Sequence, residues 1–180
     1  MSLRHDDYTN AGAVVAAIDI DTPGQHAAMV EKLNLPFPML SDPDRSLAIG
    51  PYELMNETDP RNLAIPATIV IDPAGNEALR TVSRDYADRP LEDEALAFLV
   101  GLGLDRVSQA KPAPGVSEPG PRAMPFDQLR TYFRGAKFGA KALGLRSGAT
   151  DEADTFGKLM DHYMEAVTAM YRIIRDRESD

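Results

Sequence analysis

Hydrophobic positions along this chain change rhythm several times. Residues 13–18 (A-V-V-A-A-I) form an unbroken apolar run, the pattern of a strand covered on both faces in a parallel sheet. From Pro23 the rhythm is helical, with Ala27, Val30 and Leu33 on one face. Thr22 suits the N-cap and Pro23 the first helical position, so the spacing predicts a helix to about Leu33. Pro36 and Pro38 hold residues 35–40 extended. Ser41-Asp42-Pro43-Asp44 predicts a capped short helix through Ile49, followed by an irregular polar loop over residues 50–62. Residues 3–10 read as the last turns of a helix, closed by Ala11-Gly12.

Thr68-Ile69-Val70-Ile71 is a β-branched run between Pro66 and Asp72-Pro73-Ala74-Gly75-Asn76, which predicts a buried strand. Residues 77–82 follow as a more polar strand with Ala78 and Val82 for one face. Asp-Pro-x-Gly supplies the preset φ and the positive φ of a tight reversal, so the two runs make a β-hairpin. Pro66 directly precedes a strand, a position where an X-Pro bond is often cis. Residues 84–90 read as a turn, and 91–102 as a helix with Leu91, Ala95, Phe98 and Leu99 on one stripe.

The pattern then stops. Residues 107–125 hold Pro112, Pro114, Pro119, Pro121 and Pro125, a semi-rigid linker without a core of its own. Beyond it, Phe126, Leu129, Phe133, Ala136, Ala140 and Leu143 line one helical face. Gly135 and Gly139 weaken that helix by about 1 kcal/mol each and allow close helix approach. A second, longer helix begins at Thr150, its stripe made by Phe156, Leu159, Met160, Tyr163, Val167, Met170, Tyr171 and Ile174. Arg172, Arg175 and Arg177 stand at its C-terminal end, where they suit the helix dipole. The organisation is therefore 1–106 as an α/β domain, 107–125 as a linker and 126–180 as a helical extension.

The ordered strings V-V-A-A-I-D (14–19), Pro23-Gly24-Gln25-His26, L-P-F-P-M-L-S-D (35–42) and Ile65-Pro66-Ala67-Thr68 together resemble the peroxiredoxin-like family, in its alkyl hydroperoxide reductase / thiol-specific antioxidant branch. The resemblance runs from about residue 3 to 104. It implies an α/β, thioredoxin-like fold of the peroxiredoxin branch, with a partial sheet, helices and a C-terminal helical pair. It also implies an antioxidant oxidoreductase activity that uses no cofactor. The family's peroxidatic cysteine sits upstream of the strand at 14–18, and on this resemblance the chain begins inside the cysteine-bearing helix. The missing strand would lie between the strands at 14 and 68, so those two either pair directly or accept a segment of another chain.

Composition sharpens the conflict. Of 180 residues none is cysteine, which excludes disulfides, thiolate metal sites and a thiolate nucleophile. The expectation is a polypeptide inactive as a peroxidase by itself, with peroxide as substrate only if an upstream cysteine-bearing segment exists. On the resemblance, Arg61, Pro66 and Thr68 are the candidates for a remnant pocket; a loop arginine facing water is the plainer reading of Arg61. No catalytic residue and no metal site are assigned.

Three other features carry candidate chemistry. Asp19-Ile20-Asp21-Thr22 after an apolar strand also resembles the opening of haloacid-dehalogenase-type phosphohydrolases, with Asp19 as nucleophile and magnesium bridging Asp19 and Asp21. Thr22-Pro23 is equally a helix cap, and capping also explains Asp42 and Asp44. His5, His26 and His162 fall on separate elements, without metal-face spacing, and read as surface histidines. A net charge of -9 speaks against nucleic acid as partner, and no run approaches the ~20 apolar residues of a membrane span. A cytoplasmic protein is expected. The five cations of residues 128–150 make a basic amphipathic helix, suited to a membrane surface or an acidic helix. Homo-oligomerisation through the C-terminal helices is the favoured partner, which makes an interaction module the second function class.

Overall fold

The computed structural model describes residues 1–84 and 92–178, with side chains to 175. It is an α/β protein with, among the described residues, five α-helices: α1 (His5–Asn10), α2 (Pro23–Leu33), α3 (Glu92–Gly101), α4 (Leu129–Ser147) and α5 (Thr150–Glu178). The strands are β1 (Ala17–Asp19), β2 (Met39–Ser41), β3 (Ala67–Ile71) and β4 (Glu77–Val82). The chain divides into two compact units, Met1–Pro119 and Gly120–Asp180.

In the first unit, helix α2 forms as its sequence predicts. The Thr22 side chain accepts from the Gln25 N–H, and the Gln25 side chain reaches back to Thr22, a complete capping box. Asn34 closes the helix in the left-handed region. The helix carries the chain between β1 and β2, which pair in parallel with Ala17 opposite Met39 and Asp19 opposite Ser41. Beneath them Tyr8, Val15, Val30, Phe37, Leu96 and Leu99 make one buried cluster, with Val70 packed against it.

Strands β3 and β4 form the expected hairpin, from Ala67 opposite Val82 to Ile71 opposite Glu77, with a register shift between Val70 and Ile71. The Asp72 carboxylate accepts from the N–H groups of Ala74 and Asn76, and Gly75 supplies the positive φ. Inward-facing positions of β4 are Leu79 and Thr81; Ala78 and Val82, the face expected from the sequence, are exposed.

Five further expectations are corrected. Only Ala17 and Ile18 of the apolar run, with Asp19 after it, enter a ladder, and Val14 and Ile18 are exposed, because β1 gains one partner strand. Strands β1 and β3 do not pair: among the described residues they lie in separate two-stranded sheets, since β3 finds its partner through a local turn. Thr68 to Val70 are half-buried rather than buried, with Ile71 exposed. No peptide bond of the described residues is cis, Pro66 included. Residues 42–50 are turns rather than a short helix. The predicted turn at 85–90, Leu91 and the Arg177 side chain lie outside the described residues.

The proline-rich stretch is tied down at its start. Val107 N–H donates to the Thr9 carbonyl, and Glu118 N–H to Gly24. Between them the Gln109 carboxamide takes Val15 from both sides, accepting from its N–H at 2.8 Å and donating to its carbonyl at 2.6 Å. A side-chain amide thus replaces one step of a β-ladder.

In the second unit, α4 and α5 form an antiparallel hairpin. Phe126 stacks on Tyr171, Phe133 meets Tyr163 at 5.2 Å between ring centroids, and Lys137 pairs with Asp161. The packed face of α4 ends on buried Gly144; Leu143, assigned to it from the sequence, is 65 % exposed. A Cβ on Gly144 would stand 2.5 Å from the Ala153 Cβ, whereas Gly135 and Gly139 face open space. Close approach therefore depends on Gly144, not on the two glycines expected to provide it. Among the described residues no helix is long and apolar enough to cross a membrane.

Candidate functional site

The densest polar constellation lies where β1 ends and α2 begins. Asp19 closes β1, His26 sits on the first turns of α2, and Ser41 closes β2. His26 is buried at 3 % exposure, a correction to its expected place on the surface. Its Nε2 lies 2.7 Å from Asp19 Oδ1 and its Nδ1 3.0 Å from Ser41 Oγ. Asp19 Oδ1 also accepts from the Asp21 N–H at 2.7 Å. Burial, and then the charge of Asp19, push the Asp21 carboxyl above its ordinary range, with His26 pulling the other way.

Asp19, Asp21 and His26 are the one set among the described residues whose ligand atoms lie within 4.8 Å of one another. Both ring nitrogens of His26 are engaged, so the group closes on itself and ties β1, α2 and β2 together. Ser, His and Asp in a chain are also the constituents of nucleophilic triads, which require free N–H donors beside the serine. Here the adjacent Asp42 N–H is bound to the Asp19 carbonyl at 2.8 Å. The next donors along the chain, the N–H groups of Leu47, Ala48 and Ile49, all point to the Asp42 carboxylate at 2.8–3.1 Å.

Among the described residues Asp42 is the most completely buried polar side chain, at 1 % exposure. Burial acts to raise its pKa, yet the three backbone donors together with Asp44 hold it below the usual carboxylate range. Asp42 and Asp44, expected to cap a short helix, instead satisfy the backbone of the turns that replace it, with Asp44 accepting from the Ser46 N–H and hydroxyl.

The three remnant-pocket candidates lie further along. Arg61 is on the loop before β3 and grips Asp59 with two donors, Nε to Oδ1 at 2.9 Å and Nη2 to Oδ2 at 2.7 Å. Its side chain is 57 % exposed, and the pairing lowers the Asp59 pKa to about 2. Pro66 leads into β3 and its carbonyl accepts from Ser83 N–H. Thr68 is half-buried in β3 opposite Thr81. The groove of about 470 Å³ beside α1 and α3 in this unit is lined by Arg4, Asp7 and Leu99, not by these three residues.

Compared with known families, residues 1–77 match that described as the AhpC/TSA family. This stretch of the chain is peroxiredoxin-like. The AhpC/TSA match takes in α1, β1, α2, β2, β3 and every candidate named above, and ends where β4 begins. It rests on sequence, since β1 and β3 do not share a sheet. No curated protein matches the chain.

Sequence reasoning missed the His26 clamp and the Gln109 bridge. For His26 a signal existed: four residues after Thr22, a side chain on the first turns of α2 points back at the end of the preceding strand. For Gln109 there was none, because a carboxamide within a proline-rich run carries no periodicity.

Proposed function

We propose that the chain is a cytoplasmic redoxin-type protein that does not itself reduce peroxide. What carries the reading is the AhpC/TSA match over residues 1–77 beside a sequence without cysteine. Peroxide reduction in this chemistry needs a thiolate to attack the O–O bond, and no side chain here supplies one. On this reading the first unit is a partial thioredoxin-type fold, and Arg61, Pro66 and Thr68 are what is left of a peroxide pocket. The Arg61 guanidinium, with no thiolate to face, holds Asp59 instead. Peroxide would be a substrate only alongside a cysteine-bearing segment. The test is hydrogen peroxide consumption with dithiothreitol as donor: the rate equals the buffer control, and turnover above it overturns the proposal.

A second reading is favoured by the second unit: a helical module for self-association. Tyr132, Phe138, Leu143 and Leu145 on α4 are all more than half exposed, an apolar display that a lone hairpin leaves in water. The phosphohydrolase reading of Asp19 and Asp21 rests on the two carboxylates alone.

A further inference from the structure

The hairpin of α4 and α5 has two unlike sides. On α4 the cations Arg130, Arg134, Lys137 and Lys141 recur at steps of four, three and four residues. On α5 the charged residues Asp154, Lys158, Asp161 and Glu165 repeat the same steps. At 3.6 residues per turn each set occupies one narrow arc of its helix. Both arcs lie on the same side of the hairpin, where Arg130, Arg134, Lys137 and Asp161 line a groove of about 470 Å³.

The opposite side has the same rhythm without the charge. Tyr132, Ala136, Gly139 and Leu143 follow one another at four, three and four residues, and so do Leu159, Tyr163, Ala166 and Met170. Tyr132 is 54 % and Leu143 65 % exposed. Between residues 128 and 145, and between 153 and 171, no Asp, Glu, Lys or Arg falls on this side.

We propose that this uncharged side is the seat of a second copy of the chain, packed by a two-fold axis parallel to the helices into a four-helix bundle. The proposal rests on the self-association reading above and adds its geometry. Such an axis lays α4 of one copy antiparallel on α5 of the other. It also leaves the height of each residue along the axis unchanged. Each α4 residue therefore meets the level at which its own hairpin is in register, set by Phe133 with Tyr163, Lys137 with Asp161 and Gly144 beside Ala153.

That register places large against small. Tyr132 falls opposite Ala166 of the second copy, and Gly139, around which the hairpin leaves open space, falls opposite Leu159 of the second copy. Arg146 falls opposite Glu152 of the second copy, the one place where charges reach this side. Packing α4 on α4 instead would oppose two helices that carry five cations and no acid over residues 128–150. The face is about 28 Å long and 20 Å wide, so the pair covers roughly 1,100 Å², above the ~1,000 Å² of a specific interface.

Sedimentation velocity on the full chain from ~1 to ~100 µM tests it. A concentration-dependent species of twice 19.6 kDa is expected. Gly139→Leu sets its Cβ in open space, fills the recess, and should raise the dimer Kd about tenfold or more. Leu143→Glu should do the same, with helical circular dichroism unchanged, while Phe138→Glu on the charged side leaves the Kd as it was. A chain monomeric at every concentration overturns both the geometry and the self-association reading. A dimer indifferent to Gly139→Leu, or dissociated equally by Phe138→Glu, overturns the geometry and leaves self-association standing. A monomer whose co-sedimentation with phosphatidylserine vesicles is lost on Leu143→Glu puts a membrane on this side and overturns the second copy.

Discussion

The two units of this protein are held together by opposite means. In the first, strands are three to six residues long, and among the described residues the sheets have two strands each, too little ladder to be stable unaided. Its connections are fixed by buried and half-buried polar side chains instead: His26 between Asp19 and Ser41, Asp42 under three N–H groups, Gln109 across Val15. In the second unit the backbone is satisfied within two helices, and side chains need only zip, which Phe126, Phe133, Gly144 and Met160 do. The first unit is thus vulnerable at single hydrogen-bonding groups, and the second at shape.

The largest break in the first unit is expected from Asp42→Ala. Three donors that converge on one buried carboxylate lose their acceptor, and the stability of this unit should fall by about 4–5 kcal/mol, read as a lower thermal midpoint. Hydrogen exchange should quicken over residues 45–50 while α4 and α5 keep their protection; unchanged exchange there would contradict the capping role. His26→Ala leaves Asp19 and Ser41 without their shared partner and opens a cavity, at about 3 kcal/mol, measured by urea unfolding.

In the second unit the matching break is steric. Gly144→Leu drives a side chain into Ala153 and the Ala149 carbonyl and should cost about 2–3 kcal/mol of hairpin stability, although glycine is a poor helix former. Gly135→Ala, in open space, should instead stabilise α4 by about 1 kcal/mol. If both glycines respond alike, Gly144 is not the point of closest approach.

Acid sharpens the contrast. Asp42 and Asp59 titrate below the ordinary carboxyl range when folded, Asp59 near pH 2. Their stabilisation is present above the unfolded value and lost as pH falls through the folded one. Asp21, shifted upward, works the other way, stabilising at low pH and losing that effect as pH rises. The net expectation is that the first unit weakens between about pH 4 and 2, which pH-dependent near-ultraviolet circular dichroism would follow. The smallest effect belongs to Arg61→Ala: its guanidinium is more than half exposed above the nearly covered Asp59 carboxylate, so solvent screens the pair, and the thermal midpoint should fall only slightly while the Asp59 titration moves up toward its ordinary value.

How far the sequence carries differs between the units for the same reason. Helix α2 was legible to its termini because Thr22, Pro23 and Gln25 act on their own neighbours, and the β3–β4 turn because Asp72 and Gly75 do. The faces of α4 were nearly legible; Leu143 and Gly144 exchanged places, since periodicity locates a stripe to within about one residue and packing chooses which edge faces in. The remnant-pocket residues Arg61, Pro66 and Thr68 were found through resemblance, not through a local pattern.

Determined by the sequence itself were the kinds of element, their caps, the absence of any thiol and the kinship over residues 1–77. These follow from interactions within a few residues, or from composition. Decided only by tertiary structure were the separation of β1 from β3, the burial of His26 and the bridging of Val15 by Gln109. Each joins groups from 7 to 94 residues apart along the chain, or fails to. Such pairings depend on which backbone donors and acceptors remain unsatisfied once the local structure has formed, and that remainder is written in no single stretch of sequence.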